Sequence, residues 1–248
     1  MNVMEYIREK RAGGVLHFTL IDPDRQSPEK SGELAAMAER LGSDGIMVGG
    51  SNPAHVLGLH EAVKCIKKSC KIPVILFPSS HSGVAPGADA IFFMSLFNSR
   101  SPQYIVEEQA KGAIMVRQYG IEPLPMAYLI VDSGSATSAG WTGDVKPIPR
   151  EKPEFAVAYS LAAKYFGMRF VYLEGGSGAA HPVPDEMVKA VKHAVGDVFV
   201  IVGGGIRDPQ TAREKVASGA DIIVTGTIAE NNTEVFGSIV RAVKGSQK

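Results

Sequence analysis

Cysteine is scarce in this chain of 248 residues, with Cys65 and Cys70 the only two. They lack metal-ligand spacing and are too few for a disulfide framework. A disulfide-stapled fold and a thiolate metal centre are therefore excluded, and a reducing cytoplasm is the expected compartment. Net charge is missing as well, since 26 Lys and Arg balance 26 Asp and Glu. Without a field of one sign there is nothing to gather nucleic acid or anionic lipid over distance, so no nucleic-acid partner is expected and membrane contact is peripheral at most. No apolar run is long enough to span a bilayer. Residues 1–14, with Glu5, Arg8, Glu9, Lys10 and Arg11, do not have the pattern of a signal peptide. Lysine is absent from the C-terminal end of every strand read below, which argues against imine chemistry.

What the chain does have is apolar sequence in short blocks, within a hydrophobic content of 45%. Eight blocks have strand length: Val15–Ile21, Gly45–Val48, Val74–Phe77, Ala90–Met94, Met126–Val131, Phe170–Leu173, Val198–Val202 and Ile222–Val224. Most are apolar at successive positions, as in parallel strands buried on both faces. Helix-length amphipathic segments alternate with them: Glu29–Leu41, Ala54–Lys68, Pro102–Tyr119, Pro153–Phe166, Asp185–Val195, Pro209–Ser218 and Glu234–Val243. Pro102, Pro153 and Pro209 fall where a first helical turn begins. The pattern and the length, close to the roughly 250 residues usual for the fold, predict one α/β domain over residues 1–248, a (β/α)8 TIM barrel. The third helix is expected to be replaced by a loop, because residues 78–87 read Pro-Ser-Ser-His-Ser-Gly-Val-Ala-Pro-Gly. A weak repeat, Ser43-Asp44-Gly45-Ile46, Ala88-Asp89-Ala90-Ile91 and Ala220-Asp221-Ile222-Ile223, marks the start of three strands. Residues 132–152 form a long segment rich in Gly, Ser and Thr, of the kind that serves as a lid.

Chemistry in this fold sits at the C-terminal strand ends, and its phosphate site is commonly built after strands 7 and 8. There the chain has Gly203-Gly204-Gly205-Ile206-Arg207-Asp208-Pro209 and Thr225-Gly226-Thr227. Glycine admits close approach of backbone N–H groups to an anion, and a helix start adds its dipole. Arg207 has two readings, a phosphate contact or a surface pair with Asp208. Strand 6 delivers Glu174 within Tyr172-Leu173-Glu174-Gly175-Gly176-Ser177-Gly178. Burial would raise its pKa and make it a general base, while the plainer alternative is a structural carboxylate accepting N–H bonds from the glycine loop. Tyr172 points the same way as Glu174, although a buried Tyr more often only packs. Strand 1 delivers Asp22-Pro23-Asp24, where Asp22 either holds a cation beside phosphate or caps the turn. Ser51, on the next strand over, is placed to complete such a shell. His17 is expected in the core, His81 and His181 in loops, and Trp141 exposed or lining a greasy groove with Tyr128 and Phe92-Phe93-Met94.

In order along the chain stand Asp22-Pro23-Asp24, Gly49-Gly50-Ser51, the run from Phe92 to Ser99, Trp141-Thr142-Gly143-Asp144 with Lys146-Pro147 and Pro149-Arg150, Tyr172 to Gly178, Gly203 to Arg207, and Thr225-Gly226-Thr227. Together they resemble the geranylgeranylglyceryl phosphate synthase family, in its larger-sequence branch, over nearly the whole chain. The resemblance implies a prenyltransferase that joins sn-glycerol 1-phosphate to geranylgeranyl diphosphate, the first ether-bond step of archaeal-type membrane lipids. It implies Mg2+ on Asp22 and Ser51. It implies glycerol phosphate bound by Tyr172, Leu173, Glu174, Gly175, Gly176, Ser177, Gly178, Gly203, Gly204, Gly226 and Thr227, with Glu174 taking the proton of the attacking hydroxyl. A homo-oligomer, a dimer or hexamer, is also implied. The polyprenyl tail needs an apolar groove and a mobile cover, a role for the loop carrying Trp141. Two other readings share the phosphate cradle: a barrel isomerase or cyclase acting on a phosphorylated sugar, and a non-catalytic phosphometabolite sensor.

Overall fold

The computed structural model describes residues 2–50, 56–134 and 136–245, with backbone alone for 56 and 57. Eight parallel strands close into a barrel in sequence order. They are β1 (Leu16–Ile21), β2 (Gly45–Val48), β3 (Val74–Leu76), β4 (Ala90–Leu96), β5 (Glu122–Ile130), β6 (Phe170–Glu174), β7 (Phe199–Gly203) and β8 (Ile222–Thr225), and β8 pairs back onto β1. The helices are α1 (Val3–Ala12), α2 (Pro28–Arg40), α3 (Val56–Ser69), α4 (Glu108–Tyr119), α5 (Ser138–Thr142), α6 (Pro153–Tyr165), α7 (Asp185–Val195), α8 (Pro209–Ala217), α9 (Thr227–Asn231) and α10 (Thr233–Gly245).

The strands are apolar throughout because both of their faces are buried. Phe18, Met47, Ile75, Phe92, Met126, Phe170, Ile201 and Ile222 fill the barrel interior. Alternate residues such as Ile46, Val74, Val171, Val200 and Ile223 face out against the helices. His17 belongs to this outer layer and not to the barrel interior. Its ring packs edge-on to Phe236 of α10 and bonds Ser43 Oγ at 3.0 Å and Thr225 Oγ1 at 2.9 Å. Burial, aided by the charge of Lys244, lowers its pKa to about 3, so the ring stays neutral.

Two features close the lower rim. The first is α1, to which the sequence pattern assigned no element. Charged residues mask its apolar pair, Val3 and Ile7, which are fully buried and join the barrel-interior cluster. The Glu122 carboxylate accepts the first free N–H groups of this helix, from Val3 at 2.5 Å and Met4 at 3.0 Å. The second is the aspartate repeat. Asp44, Asp89 and Asp221 each accept a strand N–H, from His17 (3.0 Å), Val74 (2.8 Å) and Val200 (2.8 Å). Each also pairs with a lysine from the surrounding helices: Lys244 at 2.8 Å, Lys67 at 2.7 Å and Lys192 at 2.7 Å.

The third helix is indeed missing. After β3 there is one 3₁₀ turn, His81–Gly83. The segment expected as a single helix over Pro102–Tyr119 divides into a wide π turn, Gln103–Glu107, followed by α4. β5 starts four residues earlier than its apolar block. Pro123 and Pro125, which have no N–H to give, lie in the stretch flanked only by β4, before pairing with β6 begins at Met126.

Candidate active site

The upper rim opens into a cavity of about 780 Å³. Its central part is bordered by Asp22, Tyr128, Tyr172, Glu174 and the glycine loops after β6, β7 and β8. An apolar branch runs outward past Val84, Ile91, Phe93, Met94, Tyr104 and Val116. That branch passes through the gap where a third helix would stand, so the short His81–Gly83 turn is what opens it. Glu108 fixes the turn to α4. Its carboxylate accepts the His81 N–H at 2.9 Å, meets the His81 ring at 2.6 Å and pairs with Lys111 at 3.0 Å. Burial pushes the Glu108 carboxyl up, but His81 and Lys111 outweigh it and hold the pKa at about 2.

Glu174 ends β6 at 7% exposure. Its carboxylate accepts the Gly176 N–H and is reached by the hydroxyls of Tyr172 and Tyr128. Burial raises its pKa, while these three donors stabilise the anion and oppose the rise. Burial and the neighbouring carboxylate raise both phenols well above their usual range, so they remain protonated donors. The two phenol rings meet edge to face at 5.2 Å, and Phe77 packs on both, giving the carboxylate an aromatic floor. Glu174 thus holds the glycine loop, as its structural reading expects, and also faces the cavity.

The cradle beside it is built from three turns. Gly204 has φ +83°, and a Cβ there would collide with the Glu174 carboxylate and the backbone of Gly176, so only glycine fits. The turns after β6 and β8 touch through Ser177 and Thr227, 3.5 Å apart. The short helix α9 starts at Thr227, right after Gly226. Of the residues expected at the phosphate, Tyr172, Glu174, Gly176, Ser177, Gly178, Gly204, Gly226 and Thr227 line the cavity. A Cβ at Gly203 would overlap the Tyr172 hydroxyl, and Gly175 donates its N–H to Gly203 O at 3.0 Å. Strand alternation turns the Leu173 side chain outward into the layer under the helices, where it is fully buried. Arg207 lines the cavity, and its guanidinium donates to the carbonyls of Gly178 (2.8 Å) and Ala179 (2.7 Å), bracing the loop after β6, while Asp208 caps α8 through the Thr211 N–H at 2.8 Å.

Asp22 caps the turn, its Oδ1 accepting the Asp24 N–H at 3.0 Å, and it also lines the cavity. A Cβ at Gly50 would overlap this carboxylate, so glycine is what leaves room beside it. Ser51 lies outside the described residues. Among the described residues no three His, Cys, Asp or Glu gather as ligands. A partly buried carboxylate at the cavity wall fits a hard divalent cation that completes its shell with hydroxyl, water and phosphate oxygens. Trp141 is 85% exposed and stays off the cavity wall, which α5 reaches through Ala139 and Thr142.

These features define a (β/α)8 barrel with a buried acid beside glycine turns and a lateral apolar groove. Residues 4–245 match the PcrB family, and the chain belongs to it. It is 55% identical over 249 residues to the geranylgeranylglyceryl phosphate synthase of Thermococcus kodakarensis, covering 98% of each chain. Against the enzyme of the same name from Pyrococcus furiosus it is 56% identical, covering 98% of this chain and 94% of the relative. A crystal structure of (S)-3-O-geranylgeranylglyceryl phosphate synthase from Thermoplasma acidophilum, in complex with its substrate sn-glycerol-1-phosphate, superposes with a TM-score of 0.94 at 44% identity over 99% of both chains.

Proposed function

We propose that this chain is a prenyltransferase that joins sn-glycerol 1-phosphate to geranylgeranyl diphosphate, giving 3-O-geranylgeranylglyceryl phosphate and pyrophosphate. The observation that carries this reading is the conjunction of one buried acid, Glu174, with a phosphate-sized glycine cradle on one side and an apolar branch on the other. An isomerase or cyclase acting on a small phosphosugar uses the first two parts and has no need of the third.

Backbone N–H groups of the turns at Ser177–Gly178, Gly204 and Gly226–Thr227 hold the phosphate of glycerol phosphate. Tyr172 and Tyr128 orient Glu174, which accepts the proton of the 3-hydroxyl as that oxygen attacks the allylic carbon and the carbon–diphosphate bond breaks. The aromatic floor and the branch exclude water from the developing allylic cation. Asp22, with Ser51, would hold Mg2+, which offsets charge on the leaving pyrophosphate. The branch past Phe93, Tyr104 and Val116 receives the polyprenyl chain, and α5 covers it.

The same reading extends to assembly and compartment. Trp141, Phe155, Tyr165 (79%) and Phe166 (78%) are large apolar side chains left exposed, which supports a homo-oligomer, dimer or hexamer. Two free cysteines suit the cytoplasm, and no helix among the described residues is long and apolar enough to cross a membrane.

Incubation with labelled sn-glycerol 1-phosphate, geranylgeranyl diphosphate and Mg2+ tests the assignment. An ether-linked product is expected, and Glu174→Gln should lower kcat by about 10²–10⁴-fold while glycerol phosphate still binds. Absence of the ether, with turnover of a phosphosugar instead, would transfer the chain to the isomerase class.

A further inference from the structure

The glycine cradle supplies N–H groups for one phosphate, but the transferase reading requires a second, more highly charged group to sit beside Asp22. Among the described residues, the cationic or ionisable basic side chains on the cavity wall are Arg25, Arg207 and His81. Arg207 is fastened to the carbonyls of Gly178 and Ala179, on the cradle side. His81 is held by Glu108 at the far wall. Arg25 is placed differently. Its Nε lies 3.2 Å from Asp22 Oδ2, and its Nη1 lies 4.0 Å from Glu230 Oε2. Asp22 follows β1, whereas Glu230 is on α9, just beyond the Gly226–Thr227 turn. The guanidinium therefore spans the rim from the metal-type carboxylate toward the phosphate cradle, half exposed and facing the cavity.

A guanidinium and a divalent cation compete for the same Asp22 oxygens, and two cations do not share them without repulsion. A guanidinium is also the side chain whose flat fork of donors matches phosphate oxygens two at a time. We propose that Arg25 is the diphosphate-anchoring residue of this site: it exchanges the Asp22 carboxylate for the diphosphate oxygens of the prenyl substrate as Asp22 turns to the metal. Glu230 retains the guanidinium at the rim during the exchange. The arrangement places one side-chain cation and one metal ion on the leaving group, where negative charge builds as the allylic bond breaks. The inference rests on the transferase reading and adds to it the residue that recognises the second substrate's head.

Inorganic pyrophosphate, titrated calorimetrically into the full chain with saturating Mg2+, and Mn2+ alone, followed by electron paramagnetic resonance, separate the possibilities. Arg25→Met should weaken pyrophosphate binding about tenfold to hundredfold, the range expected for one lost charge-assisted contact. It should bind Mn2+ at least as tightly as the parent, because the competitor for Asp22 is gone. In turnover, KM for the prenyl diphosphate should rise while KM for glycerol phosphate holds within about twofold, since the cradle is backbone-built. Arg25→Lys should recover part of the pyrophosphate affinity, keeping the charge without the fork. Unchanged pyrophosphate affinity in Arg25→Met would overturn the proposal and leave a surface ion pair only, and parallel loss of Mn2+ would show that Arg25 merely shapes the Asp22 turn. Failure of the transferase reading shows separately, as no ether product from the parent chain whatever the pyrophosphate affinities.

Discussion

At the scale of single residues, Glu174 is set between opposing influences, and its pH behaviour reports their balance. Burial raises its pKa above the ordinary 4.5, while Gly176, Tyr172 and Tyr128 stabilise the anion. As the proposed base it works only when ionised. Activity is therefore expected above an acid limb placed higher than 4.5 and lost as pH falls through it. Tyr128→Phe removes one donor to the anion, so the limb should move to higher pH. Profiles of kcat/KM against pH for the two proteins check this, and coincident limbs would deny Tyr128 the role. Glu174 was legible in the sequence because a carboxylate stands between an apolar strand and a glycine run, and Tyr172 followed from strand alternation. Tyr128 was visible only as an aromatic strand residue. Its place at Glu174 depends on the Tyr128–Tyr172 register between β5 and β6, which no local pattern encodes. The carbonyl partners of Arg207 were hidden for the same reason, since they belong to a loop distant in sequence.

At the scale of elements, the His81–Gly83 turn is the irregularity that matters, and Glu108 is its fastening. The folded Glu108 pKa of about 2 lies below the ordinary 4.5. Its contribution is thus fully present above 4.5 and lost as pH falls toward 2. Glu108→Gln is expected to cost about 1–3 kcal/mol in urea unfolding at neutral pH. The gap between the two proteins should narrow through that acid window, and a gap that stays constant with pH would mean that packing, not charge, fastens the turn. Elements with strong periodicity or continuous apolar runs were legible: Asp185–Val195 and Gly45–Val48 have the bounds expected of them. The absent third helix was legible too, from the Pro, Ser and Gly of residues 78–87. The five-residue helices α5 and α9 were not, because segments that short do not hold a helix by their own propensity and form by docking on the barrel rim.

At the scale of the whole molecule, the two ends of the barrel have different duties. The cavity and the candidate catalytic and binding groups occupy the upper rim, and α1 stoppers the lower one. Ile7→Ala empties a fully buried position in that stopper and should cost about 2–5 kcal/mol by chemical denaturation. The folded fraction should keep its kcat, since the site lies at the opposite end. A matching fall in kcat would contradict this separation. Barrel closure and strand order were legible from the eight apolar blocks. The stopper was not, because two apolar side chains among charged neighbours take on meaning only once the barrel above them exists.

The aspartate repeat has a practical consequence. With strand, helix and lysine riveted together three times around the base, the staves are joined where no substrate goes. The working rim can then be re-equipped, one loop exchanged for another, without loosening the cask, which makes this chain a sound chassis for grafting new transfer chemistry.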